Sequence, residues 1–429
     1  MIKIEHLEKL SPQQRSTILN RAGVDFSHVE NTVRNIIDQI QKRGDSAILE
    51  LTTKFDGVAL NTIQVTKQEI DQAYATIDKN LLNAIKTAAK NIERFHRSHL
   101  LKPKKITTTT GVTAWREWRP IEKVGLYIPG GKAIYPSSVL MTAIPARIAG
   151  CIEIVVCCPP DKTGSLPTPT LVAADIAGAT TICKVGGAQA IAAMAYGTKS
   201  VPAVSKIFGA GNTFVTAAKM LCFGKVAIDM PAGPSEILII ADDTATPAFV
   251  AADLLAQAEH GTDSASVLIT PSKKLAAAVQ NEVKKQLKIQ ERKDLIQQSL
   301  DKFSLILITK SLDTAIDFAN EYATEHLEII TKNDASVLKK IKHAGSIFLG
   351  NFTPVVAGDY ASGTNHVLPT AGYAKMFQAL SLDSFGCKVQ VQKATKAGLK
   401  NLQPTIETLA EAEGLYAHKN AITIRFNGK

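Results

Sequence analysis

With 429 residues the chain is long enough for two domains with filled cores. Its 45% apolar and 21% charged content excludes a chain that is mainly disordered. The net charge of +10 is spread along the sequence, with only the KPKK run at 102–105 clustered, and no nucleic-acid-binding signature accompanies it; a solvated basic surface is the simpler reading.

Residues 1–10 scatter charges where a secretory signal has an apolar run. The most apolar stretch, 139–158, is interrupted by Pro145, Arg147 and Glu153, which a bilayer core penalises. Six cysteines without C-x-x-C spacing point to buried, reduced thiols. Together these features lead us to expect a cytoplasmic protein with no membrane partner.

Residues 1–100 read as mostly helical, with periodic apolar positions over 31–51 and 67–96. From about residue 120, short β-branched runs alternate with alanine-rich stretches. Strands are predicted at 152–157, 182–185, 206–208, 226–229, 236–241, 266–270, 304–308 and 346–349. Helices are predicted at 138–149, 169–177, 188–196, 212–223, 247–260, 273–287, 312–322 and 334–343. This alternation specifies an α/β fold of parallel sheets covered on both faces. A helix at 404–411 and a last strand at 421–426 complete the tail. The glycine- and proline-dense segments LYIPGG (126–131) and MPAGPSE (230–236) are candidate domain crossings.

Four segments carry candidate chemistry. In TPAFVAADLLAQAEHG (246–261), Thr246 suits the N-cap and Pro247 the first helical position. Gln257 and His260 then share one helix face, either as half of a metal site or as a satisfied polar pair. In TEHLE (324–328), Glu325 and His326 are two proton acceptors of different basicity, or a plain surface pair; the spacing is not H-E-x-x-H. The polar loop AGDYASGTNH (357–366) offers Asp359 as a hard oxygen ligand and His366 as a substrate contact. Near the C-terminus, Glu413 and His418 stand five apart. FGAGNTF (208–214) and GGAQA (186–190) link strands to helices as phosphate-binding turns do, although G-x-G-x-x-F departs from the dinucleotide fingerprint.

In combination, GLYIPGG (125–131), VGGAQAI (185–191), KIFGAGN (206–212), IDMPAGPSE (228–236), AQAEH (256–260), EHLE (325–328), the 359–366 loop and AHKNA (417–421) resemble the histidinol dehydrogenase family, in order and over most of the chain. Ala210 departs from the family pattern, which has proline there. The resemblance implies two Rossmann-like (aldehyde-dehydrogenase-like) α/β/α domains with parallel sheets, a helical N-terminal segment and a small C-terminal tail domain. The implied boundaries are 1–20 for the N-terminal segment, 21–123 with 233–375 for the domain carrying metal and catalytic residues, 124–232 for the NAD side, and 376–429 for a tail contacting the partner subunit.

The family likeness further implies one Zn2+ per subunit held by Gln257, His260, Asp359 and His418, a mixed oxygen and nitrogen set that zinc accepts. It implies that His418 reaches the zinc of a partner, making a homodimer with shared sites. Substrate contacts to L-histidinol would come from Ser235, Gln257, His260, His326, Asp359, His366, Glu413 and His418, and NAD contacts from Tyr127, Gln189 and Asn212. The expected reaction is a four-electron oxidation through bound aldehyde, in which a neutral His326 takes the hydroxyl proton and Glu325 activates water. The rival readings are a zinc hydrolase using Glu325 on metal-bound water, an enzyme with a cysteine nucleophile, and a basic nucleic-acid-binding protein.

Overall fold

The computed structural model describes residues 2–21, 26–100, 103–130, 134–230 and 233–427. Lys102, Gly131, Pro231 and Ala232, each part of a segment singled out above, lie outside the described residues. The described residues fall into two compact units: residues 1–98 with 121–385, and residues 99–120 with 386–429. No helix among the described residues is long and apolar enough to cross a membrane.

The larger unit contains two parallel sheets. The first has six strands in the order Lys3–His6, Leu305–Ile308, Ala265–Thr270, Glu236–Ala241, His326–Ile330 and Ser346–Leu349. Its central strands are near-continuous apolar runs because both faces are covered. Successive residues of Glu236–Ala241 serve opposite cores. Ile237, Ile239 and Ala241 pack with Val250, Leu254 and Val279 from the helices Pro247–Ala258 and Lys273–Leu287. Leu238 and Ile240 pack on the other face with Phe318 and Tyr322 of the helix Leu312–Tyr322.

The second sheet has five parallel strands in the order Thr181–Lys184, Glu153–Cys158, Lys123–Tyr127, Lys206–Phe208 and Ala227–Ile228. In chain order this is 3-2-1-4-5, the doubly wound arrangement, so its topological switch lies between Lys123–Tyr127 and Lys206–Phe208. The helices Gly187–Tyr196 and Thr213–Cys222 pack against the N-terminal helices Glu30–Arg43 and Asp45–Asp56. The smaller unit is a three-stranded antiparallel sheet, Gly386–Ala394 beside Val112–Pro120 beside Ile106–Thr109, with the helices Lys396–Ala412 and Tyr416–Thr423.

Several expected elements differ. The periodic stretch 31–51 is two helices, broken where Gly44 takes φ +54°. The stretch 67–96 likewise restarts at Asp78, whose carboxylate caps the backbone N–H groups of Asn80 and Leu81 at 2.9 and 3.0 Å. The tail expected to end in a strand at 421–426 instead closes the helix Tyr416–Thr423 and continues in turns. Its β-branched residues face no ladder partner, and pairing rather than propensity makes a strand. Pro404 does not start its helix but lies inside Lys396–Ala412. Asp359 is not on an irregular loop but in the short helix Val355–Tyr360.

Candidate functional site

The helix ends of the larger unit position one group of polar side chains. Thr246 is the N-cap and Pro247 the first helical residue of Pro247–Ala258, as expected, although the Thr246 side chain makes no capping bond. Gln257 lies in the last turn and is 2% exposed, while His260 stands two residues beyond the helix and is exposed. The helix packs against Val355–Tyr360, which carries a half-buried Asp359.

Glu325 and His326 sit at the amino edge of the six-stranded sheet, where His326 opens a strand; both are buried. The His326 Nδ1 lies 3.1 Å from the Glu236 carbonyl oxygen and 3.4 Å from Glu325 Oε2. With Nδ1 so engaged, Nε2 faces Asp359 Oδ1 at 3.8 Å and has no hydrogen-bond partner. Burial works against a charged imidazole, but the Glu325 and Asp359 carboxylates outweigh it and lift the pKa to about 9. The neutral imidazole expected from sequence is therefore not favoured by the polypeptide alone. His366 bridges the two sheets' elements: its Nδ1 lies 3.0 Å from the Asp359 carbonyl and its Nε2 3.1 Å from Ser138 Oγ in the helix Pro136–Ala149. Burial holds its pKa below the ordinary value.

Glu236 was quoted above only within a motif, yet it organises this group. Its backbone N–H donates to Glu325 Oε2 at 2.8 Å, and its carbonyl faces His326. Its Oε1 accepts the backbone N–H groups of Glu325 at 3.2 Å and Ala371 at 3.1 Å. Arg21 clamps the carboxylate from the other side with Nε and Nη2 at 2.5 and 2.6 Å, and stacks its guanidinium 3.5 Å from the Tyr322 ring centroid. The sequence signal was present: a glutamate opening a fully apolar strand needs a buried cation. Ser235, half-buried, immediately precedes it.

Glu413 and His418 belong to the smaller unit, at the C-cap of Lys396–Ala412 and in Tyr416–Thr423, and both are exposed. Among the described residues, no three His, Cys, Asp or Glu side chains gather as a metal site. Of the four residues expected to hold zinc, the larger unit carries Gln257, His260 and Asp359. The Gln257 Nε2 is buried with no partner. Turning the amide over presents its carbonyl oxygen at the same point, which suits a cation.

A cavity of about 870 Å³ opens at the carboxyl edge of the five-stranded sheet, where its topological switch lies. Tyr127, Gln189 and Asn212 all line it. The Tyr127 hydroxyl accepts the Gly187 N–H at 3.1 Å, and Asn212 caps Thr213–Cys222 by accepting from Val215 N at 3.2 Å. Gly209, at φ +112°, has no room for a side chain, since a Cβ would stand 2.1 Å from the Tyr127 carbonyl oxygen. A buried ion pair braces this turn: Asp229 accepts Gly209 N at 2.8 Å, and Lys219 reaches Asp229 and donates to the Gly209 carbonyl at 2.9 Å.

The sequence model of the histidinol dehydrogenase family matches residues 19–426. A histidinol dehydrogenase of Methanothermobacter thermautotrophicus is 50% identical over 410 residues, covering 96% of each chain. One of Bacteroides thetaiotaomicron is 51% identical over 418 residues, covering 97% of each. The crystal structure of histidinol dehydrogenase from Elizabethkingia anophelis superposes with a TM-score of 0.96 at 45% identity, covering 99% of this chain and 98% of that one. Similarity of this extent in both sequence and fold places the chain in the histidinol dehydrogenase family.

Proposed function

We propose that the protein oxidises L-histidinol through bound L-histidinaldehyde to L-histidine, the last steps of histidine biosynthesis, in the cytoplasm. Family membership sets the substrate. The observation that carries the chemistry is the buried His326 Nε2, unpartnered and facing Asp359 beside the Glu325 carboxylate.

Going from alcohol to acid removes four electrons, so two hydride transfers occur in turn. NAD, when bound, supplies the hydride acceptor for each. Tyr127, Gln189 and Asn212 would hold it, in a cavity whose glycine turns let the backbone come close to a phosphate. His326 takes the hydroxyl proton as hydride leaves carbon. Glu325 then takes a proton from the water that adds to the aldehyde, giving the hydrate that the second transfer oxidises. His366, anchored through Ser138 and Asp359, and Ser235 at the strand's start contact the substrate, and Glu413 of the partner subunit does so beside His418 of the partner subunit.

Zinc, when bound, anchors the substrate's imidazole and amine. Gln257, His260 and Asp359 would hold it, with the fourth position filled by His418 of the partner subunit in a homodimer. Exposed Leu409, Leu415, Tyr416 and Ile424 around that histidine support a partner surface. A cation on Asp359 would also cancel one of the two carboxylate pulls on His326, moving its imidazole toward the neutral form that a base needs.

The cysteine-nucleophile alternative finds no support. Five of the six thiols are buried, and burial pushes Cys151, Cys158 and Cys222 up to about 12.

The direct test is formation of reduced cofactor when histidinol is added to purified protein with NAD; a metal-dependent hydrolase would form none. His418→Asn should weaken zinc binding by roughly 10-fold or more, the scale on which metal sites respond to losing even supporting groups. Metal analysis after dialysis reads this, and full zinc retention would contradict the ligand assignment.

A further inference from the structure

Asp56 ends the helix Asp45–Asp56 and lines the 870 Å³ cavity together with Tyr127, Gln189 and Asn212. Among the described residues nothing repays its placement. An acidic side chain at a helix C-terminus faces the negative end of the helix dipole. Its Oδ2 is buried with no hydrogen-bond partner among the described residues. Burial pushes its carboxyl up to about 6. A group that is costly on each of these counts and unsatisfied in the protein is best explained by a ligand that satisfies it.

The cavity restricts what that ligand group is. A phosphate would be repelled by the carboxylate and is better served by the turns at Gly187 and Asn212, where helices begin. Hydroxyl donors suit a carboxylate, and a ribose presents two on adjacent carbons. Phe55, the neighbour of Asp56, and Phe214 line the same cavity as large exposed rings, 51% and 40% exposed, ready to flank a base. None of Glu325, His326, Asp359 and His366 lines this cavity. The half of a dinucleotide that binds here is therefore the half that does not react.

We infer that Asp56 accepts the hydroxyls of the adenosine ribose and thereby selects NAD over its 2′-phosphorylated counterpart. This rests on the reading of the cavity as the NAD site. The physical basis is that a 2′-phosphate would remove one donor and set a second negative charge against the carboxylate.

Binding without turnover tests the inference. NAD, NADP and ADP-ribose are titrated against the parent protein and against Asp56→Asn and Asp56→Ala, followed by calorimetry. The parent should bind NAD at least ~10-fold more tightly than NADP. Both variants should lose roughly 10-fold in NAD and ADP-ribose affinity, the size of a charge-assisted hydrogen bond, and the gap between NAD and NADP should narrow. Their unfolding temperatures should be unchanged or higher, because a desolvated carboxylate has been removed; this separates ligand contact from a structural role. Unchanged NAD affinity in both variants, or a parent that binds NADP equally well, would overturn the assignment while leaving the cavity as the NAD site. A parent that binds none of the three would overturn the cofactor reading and this inference together.

Discussion

Arg21→Met should destabilise the protein by about 3–5 kcal/mol, the cost of breaking a buried ion pair from one side. Burial pushes the Glu236 carboxyl above its ordinary range, and the Arg21 guanidinium opposes that push. Without it, Glu236 either stays charged and unpaired in the core or takes up a proton; both cost stability. The loss does not stay local, because Glu236 holds the Glu325 carboxylate through its N–H and orients His326 through its carbonyl. Activity should therefore fall in the folded fraction as well. Arg21→Lys, which keeps the charge but not the two-pronged geometry, should recover only part of both losses. Urea unfolding with activity measured on the same samples checks this; a loss below about 1 kcal/mol would mean the pair is far less buried in solution.

Glu325→Gln should divide the reaction. The amide oxygen can still accept the Glu236 N–H that now binds Oε2 at 2.8 Å, so the local fold survives. What disappears is a base for the attacking water. Oxidation of supplied histidinaldehyde should slow by roughly 10²–10⁴-fold, the usual contribution of general-base catalysis. Oxidation of histidinol to aldehyde should suffer less. Its proposed base is His326, and removing the Glu325 charge takes away the largest pull holding that imidazole protonated. The pH at which the first step reaches half its maximum should accordingly move down. Equal slowing of both steps would show that Glu325 does not act on water alone.

How legible this was from sequence depended on what each inference needed. The parallel sheets could be read because buried strands such as Glu236–Ala241 are unbroken apolar runs between alanine-rich helices. Helix breaks were harder: Gly44 interrupts a continuous apolar period through one positive φ, which periodicity does not register. The antiparallel sheet of the smaller unit joins residues 112–120 to 386–394, a pairing between distant segments that local patterns do not encode. At the site, residues with distinctive chemistry (Glu325, His326, Asp359) stood out in their segments. Arg21 and Asp56 did not, because their significance lies in burial and in what faces them. The tail at 421–426 misled because its β-branched residues suggest a strand, while only a partner strand could have made one.

All four electrons should leave the substrate within one zinc-dependent site. The most direct measurement is the number of NADH formed per histidinol consumed by limiting substrate, on protein of known zinc content. The expected result is two NADH per histidinol, no accumulation of free aldehyde, and loss of both turnovers together when zinc is removed. One NADH per histidinol with aldehyde released to solution, or full stoichiometry from zinc-free protein, would contradict it.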